Sequence, residues 1–145
     1  MQGPVTIDAS VFLNAFNTAE EGHAASQELI EYIRIAAVPI ICPMLLLPEV
    51  SATISRGTAN ASLAREFTST LEQLPHMMLV PLDEILAVQA VVLAAEQRLR
   101  GSDAVYAATA LRYASMLITL DREMHERAAE QVRTRYPSEV LSEVK

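Results

Sequence analysis

The chain has 145 residues, of which 51% are hydrophobic and 20% charged, a composition that suits one folded core and argues against wholesale disorder. We therefore expect one domain over residues 1–145. The start of the chain lacks the basic and apolar regions of a signal peptide, and apolar runs such as 40–47 are too short to cross a bilayer, which predicts a cytoplasmic protein without membrane contacts.

The net charge of −7 limits how the chain could bind a nucleic acid, because phosphate binding normally draws on a basic surface. Divalent metal ions at an acidic site would remove this conflict. Ten of the eleven basic side chains are arginines, which suit bidentate phosphate contacts, but a compositional preference for arginine over lysine explains them as well. The lone Cys42 lies in an apolar run and is expected to be a buried, inert thiol.

The first half of the chain alternates between short apolar runs, typical of buried strands, and amphipathic segments, typical of helices. In chain order we predict a strand at 5–7, a helix opened by 8–10, a helix from about 23, a strand at 38–41, and helices at 44–56 and 60–74. Pro43 stops the second strand, and Gly57 ends the helix that follows it. Pro48 lies inside that helix and is tolerable only near its first turn.

The second half continues the same alternation. We predict a strand at 77–80, a helix at 83–100, a helix from 102 to about 115, a strand at 116–119 and a helix from 121 to about 133. Asp83 and Ser102 are the expected N-caps, and Gly101 is expected to terminate the longer helix. Pro137 then breaks the chain, and 140–141 belongs either to a short edge strand or to a loose tail.

Strands that are apolar throughout, rather than alternately apolar and polar, are typical of a parallel sheet covered on both faces. The pattern therefore predicts an α/β fold, a three-layer sandwich with a mostly parallel central sheet of four or five short strands. The strands at 5–7 and 116–119 are expected to be central. The helix at 83–100 is apolar on more than one face, which predicts a homodimer or higher homo-oligomer, and the helix at 60–74 could join that surface. Both helices could equally be ordinary core.

Four acidic residues fall where such a fold gathers ligand-binding groups, beyond the carboxyl ends of the strands. Asp8 ends the first strand, and Asp121 follows the fourth. Glu49 lies near the start of the helix after the second strand. Asp103 opens the helix that leads into the fourth strand, and because that helix runs antiparallel to the strand, its start lies at the same edge. We therefore expect the four carboxylates to line one acidic pocket.

Each of these acids also has a structural explanation, because acidic residues are common at helix starts, where they cap the helix or favour its dipole. Taken singly, that explanation is the stronger one. Taken together, the four acids lie in apolar contexts, and clustered carboxylates in such places repel one another unless a cation is bound. The set as a whole therefore predicts a divalent metal site.

The motifs around the four acids resemble those of the PIN-domain nucleases, especially the VapC-type toxins of toxin–antitoxin pairs, along nearly the whole chain. In chain order the motifs are Ile-Asp8-Ala-Ser10, Leu-Leu-Leu-Pro-Glu49-Val, Ser-Asp103-Ala-Val-Tyr-Ala-Ala-Thr-Ala and Leu-Ile-Thr119-Leu-Asp121-Arg. The resemblance implies that these four acids are catalytic and hold the metal. It also implies that the hydroxyls of Ser10 and Thr119 support them.

The same resemblance implies a metal-dependent endoribonuclease that hydrolyses RNA phosphodiester bonds, as the toxin of a toxin–antitoxin pair. Its cofactor would be one or two Mg²⁺ or Mn²⁺ ions, its substrate RNA, and its protein partner an antitoxin. A metal-bound water would attack the phosphate, so a serine, cysteine or histidine nucleophile would not be needed. The alternative is a PIN-fold binding module without catalytic activity, which need not bind Mn²⁺ at all.

Other classes of site fit the sequence less well. Phosphoacceptor receivers pair their acids with a lysine, and Lys145 is too near the end of the chain to serve. Haloacid-dehalogenase-like phosphatases need two aspartates that flank one residue, where this chain reads Asp8-Ala9-Ser10. The Gly-rich loop of a P-loop protein is missing, and the histidines lack the spacing of zinc ligands.

Overall fold

The computed structural model of the protein describes residues 3–145, which form a five-stranded sheet in which every strand pair is parallel. In chain order the strands are β1 (Val5–Ile7), β2 (Ile40–Pro43), β3 (Met77–Val80), β4 (Met116–Ile118) and β5 (Thr134–Arg135). Their spatial order is β3-β2-β1-β4-β5, so β1 is the central strand and β4 lies beside it. The predicted parallel α/β sheet, with these two strands in its interior, is confirmed.

Eight helices flank the sheet within residues 3–145. They are α1 (Ala9–Phe16), α2 (His23–Ile35), α3 (Leu46–Thr58), α4 (Ala61–Glu72), α5 (Glu84–Gln97), α6 (Gly101–Arg112), α7 (Arg122–Ala128) and α8 (Pro137–Val144). Successive side chains of a strand point to opposite faces, and all three residues of β1 are buried, so both faces of the sheet are covered. This is the predicted three-layer sandwich. Within residues 3–145, none of the helices is long and apolar enough to cross a membrane.

The register of β1 fixes the edge at which its last residue emerges. Val5 pairs with Ile40 of β2 and with Met116 of β4, and Ile7 pairs with Ile118. The β-branched side chains of Val5, Ile7, Ile40 and Ile118 pack well on a pleated, buried surface. The helix α6 lies against β1, β2 and β4, and its buried face is rich in alanine, which allows close approach to the sheet. The carboxyl ends of β1 and β4 are therefore held side by side.

The boundary between α2 and β2 differs from the prediction. The strand begins at Ile40 rather than at residue 38, because the amide of Val38 donates to the carbonyl of Ile33 and helps to end α2. Ala37 adopts the left-handed conformation (φ 55°) that allows this turn. Pro43 is the last residue of the strand rather than the residue that stops it.

The helix α3 begins at Leu46, two residues later than predicted, and runs past the predicted stop at Gly57 to Thr58. Pro48 is its third residue, where the amide hydrogen that proline lacks would have no partner inside the helix. The left-handed residue that ends the helix is Ala59 (φ 54°) rather than a glycine. Because α3 begins at Leu46, Glu49 lies in its first turn.

The junction between α5 and α6 also corrects the prediction. Gly101 does not terminate α5, because the helix already ends at Gln97 with Arg98 in the left-handed conformation (φ 55°). Gly101 is instead the first residue of α6, Arg100 is its N-cap, and Ser102 lies inside the helix. The chain turns early because Leu99, between the two helices, is buried in the core.

The predictions for the C-terminal region were wrong. The helix after Asp121 ends at Ala128 rather than near residue 133, and the segment 140–141 is helical rather than a strand or a loose tail. Pro137 starts α8 instead of breaking the chain, because proline is well suited to the first helical position. The carboxylate of Glu139 accepts a hydrogen bond from the amide of Tyr136 at 2.8 Å, which fixes the start of the helix.

Cys42 lies in β2 and is fully buried, as predicted. Its thiol donates a weak hydrogen bond to the carbonyl of Ile7, with an Sγ to O distance of 3.4 Å. Burial raises the pKa of this thiol to about 12, so it stays protonated at neutral pH and is a packing residue.

Candidate active site

The structure brings all four predicted acids to the same edge of the sheet. Asp8 follows β1 directly, and its amide donates to the carbonyl of Ile118 at the end of β4. Asp121 lies three residues beyond that strand, as the N-cap of α7. Glu49 and Asp103 lie in the first turns of α3 and α6. These side chains are close enough for the charge of Asp8 to raise the pKa of both Glu49 and Asp103.

Asp8 is the deepest of the four carboxylates, with 7% of its surface exposed. Its Oδ2 accepts hydrogen bonds from the Ser10 hydroxyl at 2.7 Å and from the Thr119 hydroxyl at 2.9 Å. Burial raises the pKa of Asp8, and these two hydrogen bonds oppose the rise without cancelling it. Within the described residues its side chain makes no capping hydrogen bond to α1, so helix capping does not explain this aspartate.

The two hydroxyls also tie the ends of β1 and β4 together. Ser10 Oγ accepts from the amide of Leu120 at 3.1 Å, and Thr119 Oγ1 accepts from the amide of Asp121 at 3.0 Å. Each hydroxyl therefore accepts from the backbone after β4 while it donates to the carboxylate after β1. The orientation of the Asp8 side chain is fixed by both segments.

Glu49 is half-buried, and its Oε1 accepts a hydrogen bond from the hydroxyl of Tyr106 at 2.7 Å. Burial raises the pKa of Glu49, the bond from Tyr106 lowers it, and the charges of Asp8 and Asp103 raise it further. Tyr106 is fully buried on α6, and burial together with the charge of Glu49 raises the pKa of its hydroxyl. It therefore remains a hydrogen-bond donor that orients this glutamate.

Asp103 and Asp121 share one cationic partner, Arg100. The Nε atom of Arg100 donates to Oδ2 of Asp103 at 2.9 Å, and its Nη2 atom donates to Oδ2 of Asp121. Burial raises the pKa of Asp103, while the guanidinium opposes that rise. The other oxygen of Asp121 accepts from the amide of Met124 at 2.9 Å, so this residue is also the N-cap of α7.

The donor set fits a hard divalent cation in its chemistry, because it consists of carboxylate oxygens backed by hydroxyls on a partly buried rim. The carboxylates are nevertheless not gathered around one point in this structure. Among residues 3–145, no three acidic, histidine or cysteine side chains are placed so that they could enclose a metal ion. The carboxylates of Asp103 and Asp121 turn towards Arg100, and that of Glu49 turns towards Tyr106.

The positions of Arg100 and Tyr106 beside these acids have a signal in the sequence. Arg100 and Tyr106 lie three positions before and three positions after Asp103. On a helix this spacing places side chains on one face, where an arginine and an aspartate can pair. The same face therefore carries the acid, its cation and the tyrosine that holds Glu49.

Residues 5–130 match the PIN domain family, and this span is most of the chain. The chain therefore belongs to the PIN domain family, as its resemblance to that family implied. No curated protein matches it in sequence.

Solved structures with a similar fold include toxin–antitoxin proteins. VapBC2 from Rickettsia felis, bound to a DNA fragment from its promoter, has a TM-score of 0.71 at 10% identity and covers 91% of this chain and 97% of its own. FitAcB from Neisseria gonorrhoeae has a TM-score of 0.71 at 17% identity and covers 92% and 98%. VapC20 from Mycobacterium tuberculosis, described as a sarcin–ricin loop cleaving toxin, has a TM-score of 0.71 at 16% identity and covers 90% and 98%. This chain has the fold of VapC-type toxins.

Proposed function

We propose that this chain is a metal-dependent endoribonuclease and the toxin of a toxin–antitoxin pair. The observation that carries the proposal is the buried Asp8 carboxylate, held by Ser10 and Thr119 at the edge where three further acids meet. A buried carboxylate with a raised pKa costs free energy unless a cation compensates it, so such a cluster is a functional arrangement rather than a stabilising one. The PIN fold supplies the class of chemistry.

The residues that would hold Mg²⁺ or Mn²⁺ are Asp8, Glu49, Asp103 and Asp121. When bound, the ion would lower the pKa of a water ligand. It would also place positive charge opposite the scissile phosphate. The protein's own contribution is to position the ligands. Ser10 and Thr119 fix the rotamer of Asp8, and the buried Tyr106 holds the carboxylate of Glu49 through one hydrogen bond.

The first test of the proposal is direct cleavage of RNA. The purified protein is expected to cut single-stranded RNA in Mn²⁺ or Mg²⁺, and the cleavage should stop when EDTA removes the metal, because the phosphate attack depends on the bound ion. Denaturing gels of a labelled oligonucleotide measure the products. A single-stranded DNA of the same sequence tests whether the substrate is RNA. Cleavage that persists unchanged in EDTA would rule out the metal-dependent mechanism.

One observation favours the alternative, a PIN-fold binding module. Arg100 engages two of the four carboxylates, and within residues 3–145 no three ligands share a metal-binding geometry. A titration with Mn²⁺ separates the two functions, because the nuclease must bind the ion whereas a catalytically empty module need not. Binding of Mn²⁺ that Asp8→Asn weakens would favour the nuclease.

We also propose that the antitoxin docks in an apolar groove on the side formed by α1, α2 and α4. The groove has a volume of about 760 Å³ and is lined by apolar and aromatic side chains from these helices, among them Phe12, Phe16, Ile30 and Phe67, and by Leu74, which follows α4. Apolar helix-lined grooves of this kind suit the apolar face of a partner helix. Glu28 and Glu31 also lie on its lining, but they already pair with Lys145 and Arg34, so the apolar side chains are the expected contacts of the partner.

Filling this groove should abolish the interaction with the antitoxin. Ala15 lines the groove on α1, and Ala15→Arg would place a long charged side chain where the partner's apolar residues must lie. We expect loss of co-purification with the antitoxin, and loss of inhibition by it, with unchanged RNA cleavage. Ser69→Arg, on the exposed side of α4 and outside the groove, is the control. Normal inhibition of Ala15→Arg would place the antitoxin elsewhere.

We propose that a second copy of the chain covers the outer face of α5. The inner face of this helix supplies Leu86, Ala90 and Leu93 to the core. The outer face of α5 and the residue Leu82 just before the helix carry aliphatic side chains that are 47–67% exposed. We call this set the α5 patch, namely Leu82, Ile85, Val88, Val91 and Val92. A helix that is apolar on both faces needs a second partner surface. An aliphatic patch matches an identical patch across a twofold axis, as in most homodimers.

A further inference from the structure

Arg100 lies within the acidic cluster although it is not part of any family motif noted in the sequence. It is the N-cap of α6, and its guanidinium contacts Asp103 on the first turn of that helix and Asp121 at the start of α7. One side chain thus joins two elements of the candidate site. The side chain of Arg100 is 61% exposed, so solvent surrounds most of it and it is free to leave this position.

The guanidinium compensates part of the negative charge at the rim. Burial raises the pKa of Asp103, and Arg100 counteracts this, first through the hydrogen bond and then through its charge. Its charge also lowers the pKa of Glu49. Four neighbouring carboxylates would repel one another without a cation. Arg100 therefore has the role that a metal ion would otherwise have.

Arg100 and a metal ion compete for the same oxygen atoms. The Oδ2 atoms of Asp103 and Asp121 both accept charge-assisted hydrogen bonds from the guanidinium, which direct their lone pairs to it. While they do so, no three ligands among residues 3–145 are arranged around a common point. The metal-ready arrangement therefore requires these two carboxylates to turn away from Arg100.

We propose that Arg100 is a displaceable internal counterion, which holds Asp103 and Asp121 in the metal-free protein and releases them when a divalent ion binds. This inference rests on the proposed metal-dependent function. It makes Arg100 a positioning residue that sets how tightly the site binds metal. The free energy needed to break its two ion pairs is subtracted from metal binding, as in any pair of ligands that exclude one another.

The experiment measures Mn²⁺ binding to the full-length protein without RNA, by the loss of the electron paramagnetic resonance signal of free Mn²⁺. Arg100→Gln removes the competitor and should bind Mn²⁺ about tenfold more tightly than the wild type. Arg98→Gln removes the same charge from an exposed neighbour outside the cluster, and its affinity should stay within about twofold of the wild type because solvent and salt screen that charge. Arg100→Lys keeps a charge but lacks the planar fork, so its affinity should lie between those of Arg100→Gln and the wild type.

A second readout follows the guanidinium itself. In a titration of the wild type with diamagnetic Mg²⁺, the NMR signal of the Arg100 Nε–H group should shift as its hydrogen bond to Asp103 breaks, and the shift should saturate together with metal binding. This signal does not depend on catalysis or on the folding of a variant. An Nε–H signal that does not move at saturating Mg²⁺ would overturn the inference.

The outcomes separate this inference from the proposed function. Equal Mn²⁺ affinity of the wild type, Arg100→Gln and Arg98→Gln would overturn the role of Arg100 and leave the metal site intact. Tight binding by Arg100→Gln together with weak or undetectable binding by the wild type would support the counterion directly. Absence of Mn²⁺ binding in all of these proteins would overturn the metal site, and the inference would fall with it.

Discussion

Asp8→Asn should lower the rate of metal-dependent RNA cleavage by on the order of a hundredfold or more and leave the melting temperature unchanged or raised. The substitution keeps the shape of the side chain and an oxygen that can accept from Ser10 and Thr119, the two donors to Asp8 Oδ2. It removes one negative charge from the ligand set. Gel assays of cleavage in Mn²⁺ measure the first effect, and thermal unfolding in EDTA measures the second.

The expected direction of the stability change follows from the raised pKa of Asp8, which burial causes. A carboxyl group whose folded-state pKa is raised stabilises the fold only while it is protonated. This contribution is complete below the unfolded pKa, about 3.9 for aspartate, and is lost as the pH rises through the folded pKa. Once the pH is above the folded pKa, the ionised Asp8 therefore costs stability that asparagine does not. The stability advantage of Asp8→Asn should shrink as the solution is acidified.

The matched control is Asp83→Asn, which makes the same chemical change at an aspartate with a structural role. Asp83 is exposed and accepts from the amide of Leu86 at 2.8 Å, as the N-cap of α5. Asparagine is itself a good N-cap, so this variant should keep both its activity and nearly all of its stability. Full metal-dependent cleavage by Asp8→Asn would mean that the active site has been misassigned. A loss of stability of about 0.5–2 kcal/mol in Asp8→Ala, with normal activity, would instead mark Asp8 as a helix cap.

Val88→Asp should dissociate the homodimer proposed for the α5 patch, and should raise its dissociation constant at least about a hundredfold. Val88 is 58% exposed and lies in the middle of the patch, between Ile85 and Val92 along the helix. A carboxylate buried there without a partner costs several kcal/mol, and each 1.4 kcal/mol changes the constant tenfold. In a twofold interface each substitution occurs twice, which strengthens the effect.

Light scattering coupled to size-exclusion chromatography measures the mass of the wild type and of Val88→Asp at micromolar concentration. Leu111→Asp is the control, because Leu111 is an aliphatic residue of α6 that is 45% exposed and lies outside the α5 patch. The Leu111→Asp variant should have the same mass in solution as the wild type. A wild-type protein that is monomeric at micromolar concentration without its antitoxin would count against the proposed dimer.

Much of the fold follows from local features of the sequence. The strands at 5–7 and 77–80 have the predicted bounds because each is a short apolar run, bounded on both sides by residues that do not continue a strand. Leu63, Phe67 and Leu71 recur every four residues along α4, a helical spacing visible in the sequence, and they pack on the core. These elements needed no information from distant parts of the chain.

The errors arose where tertiary contacts override local signals. Gly101 has the residue type of a helix terminator, yet the burial of Leu99 moves the turn three residues earlier. Pro137 suggested a break, whereas the hydrogen bond from the Tyr136 amide to Glu139 makes it the first residue of a helix. Sequence periodicity does not report such contacts.

In the candidate site, too, the sequence predicts some features, whereas others depend on tertiary contacts. The fold alone brings Asp8 and Asp121 to one edge, because parallel strands present their carboxyl ends together. The orientation of each carboxylate depends on its neighbours, as the pairing of Asp103 with Arg100 and of Glu49 with Tyr106 shows. Side-chain orientation follows from packing in three dimensions, so the sequence indicated which acids meet but not what they contact.

The hydrogen bond from Thr119 to Asp8 spans 111 positions of the chain, and this has a consequence for biosynthesis. Contacts between distant segments form late, because the intervening chain must be made before its ends can meet. Asp8 and Glu49 leave the ribosome early, whereas Asp103, Thr119 and Asp121 follow only after most of the chain has been translated. For the proposed ribonuclease, this order means that the four carboxylates cannot meet before the segment that follows β4 has left the ribosome.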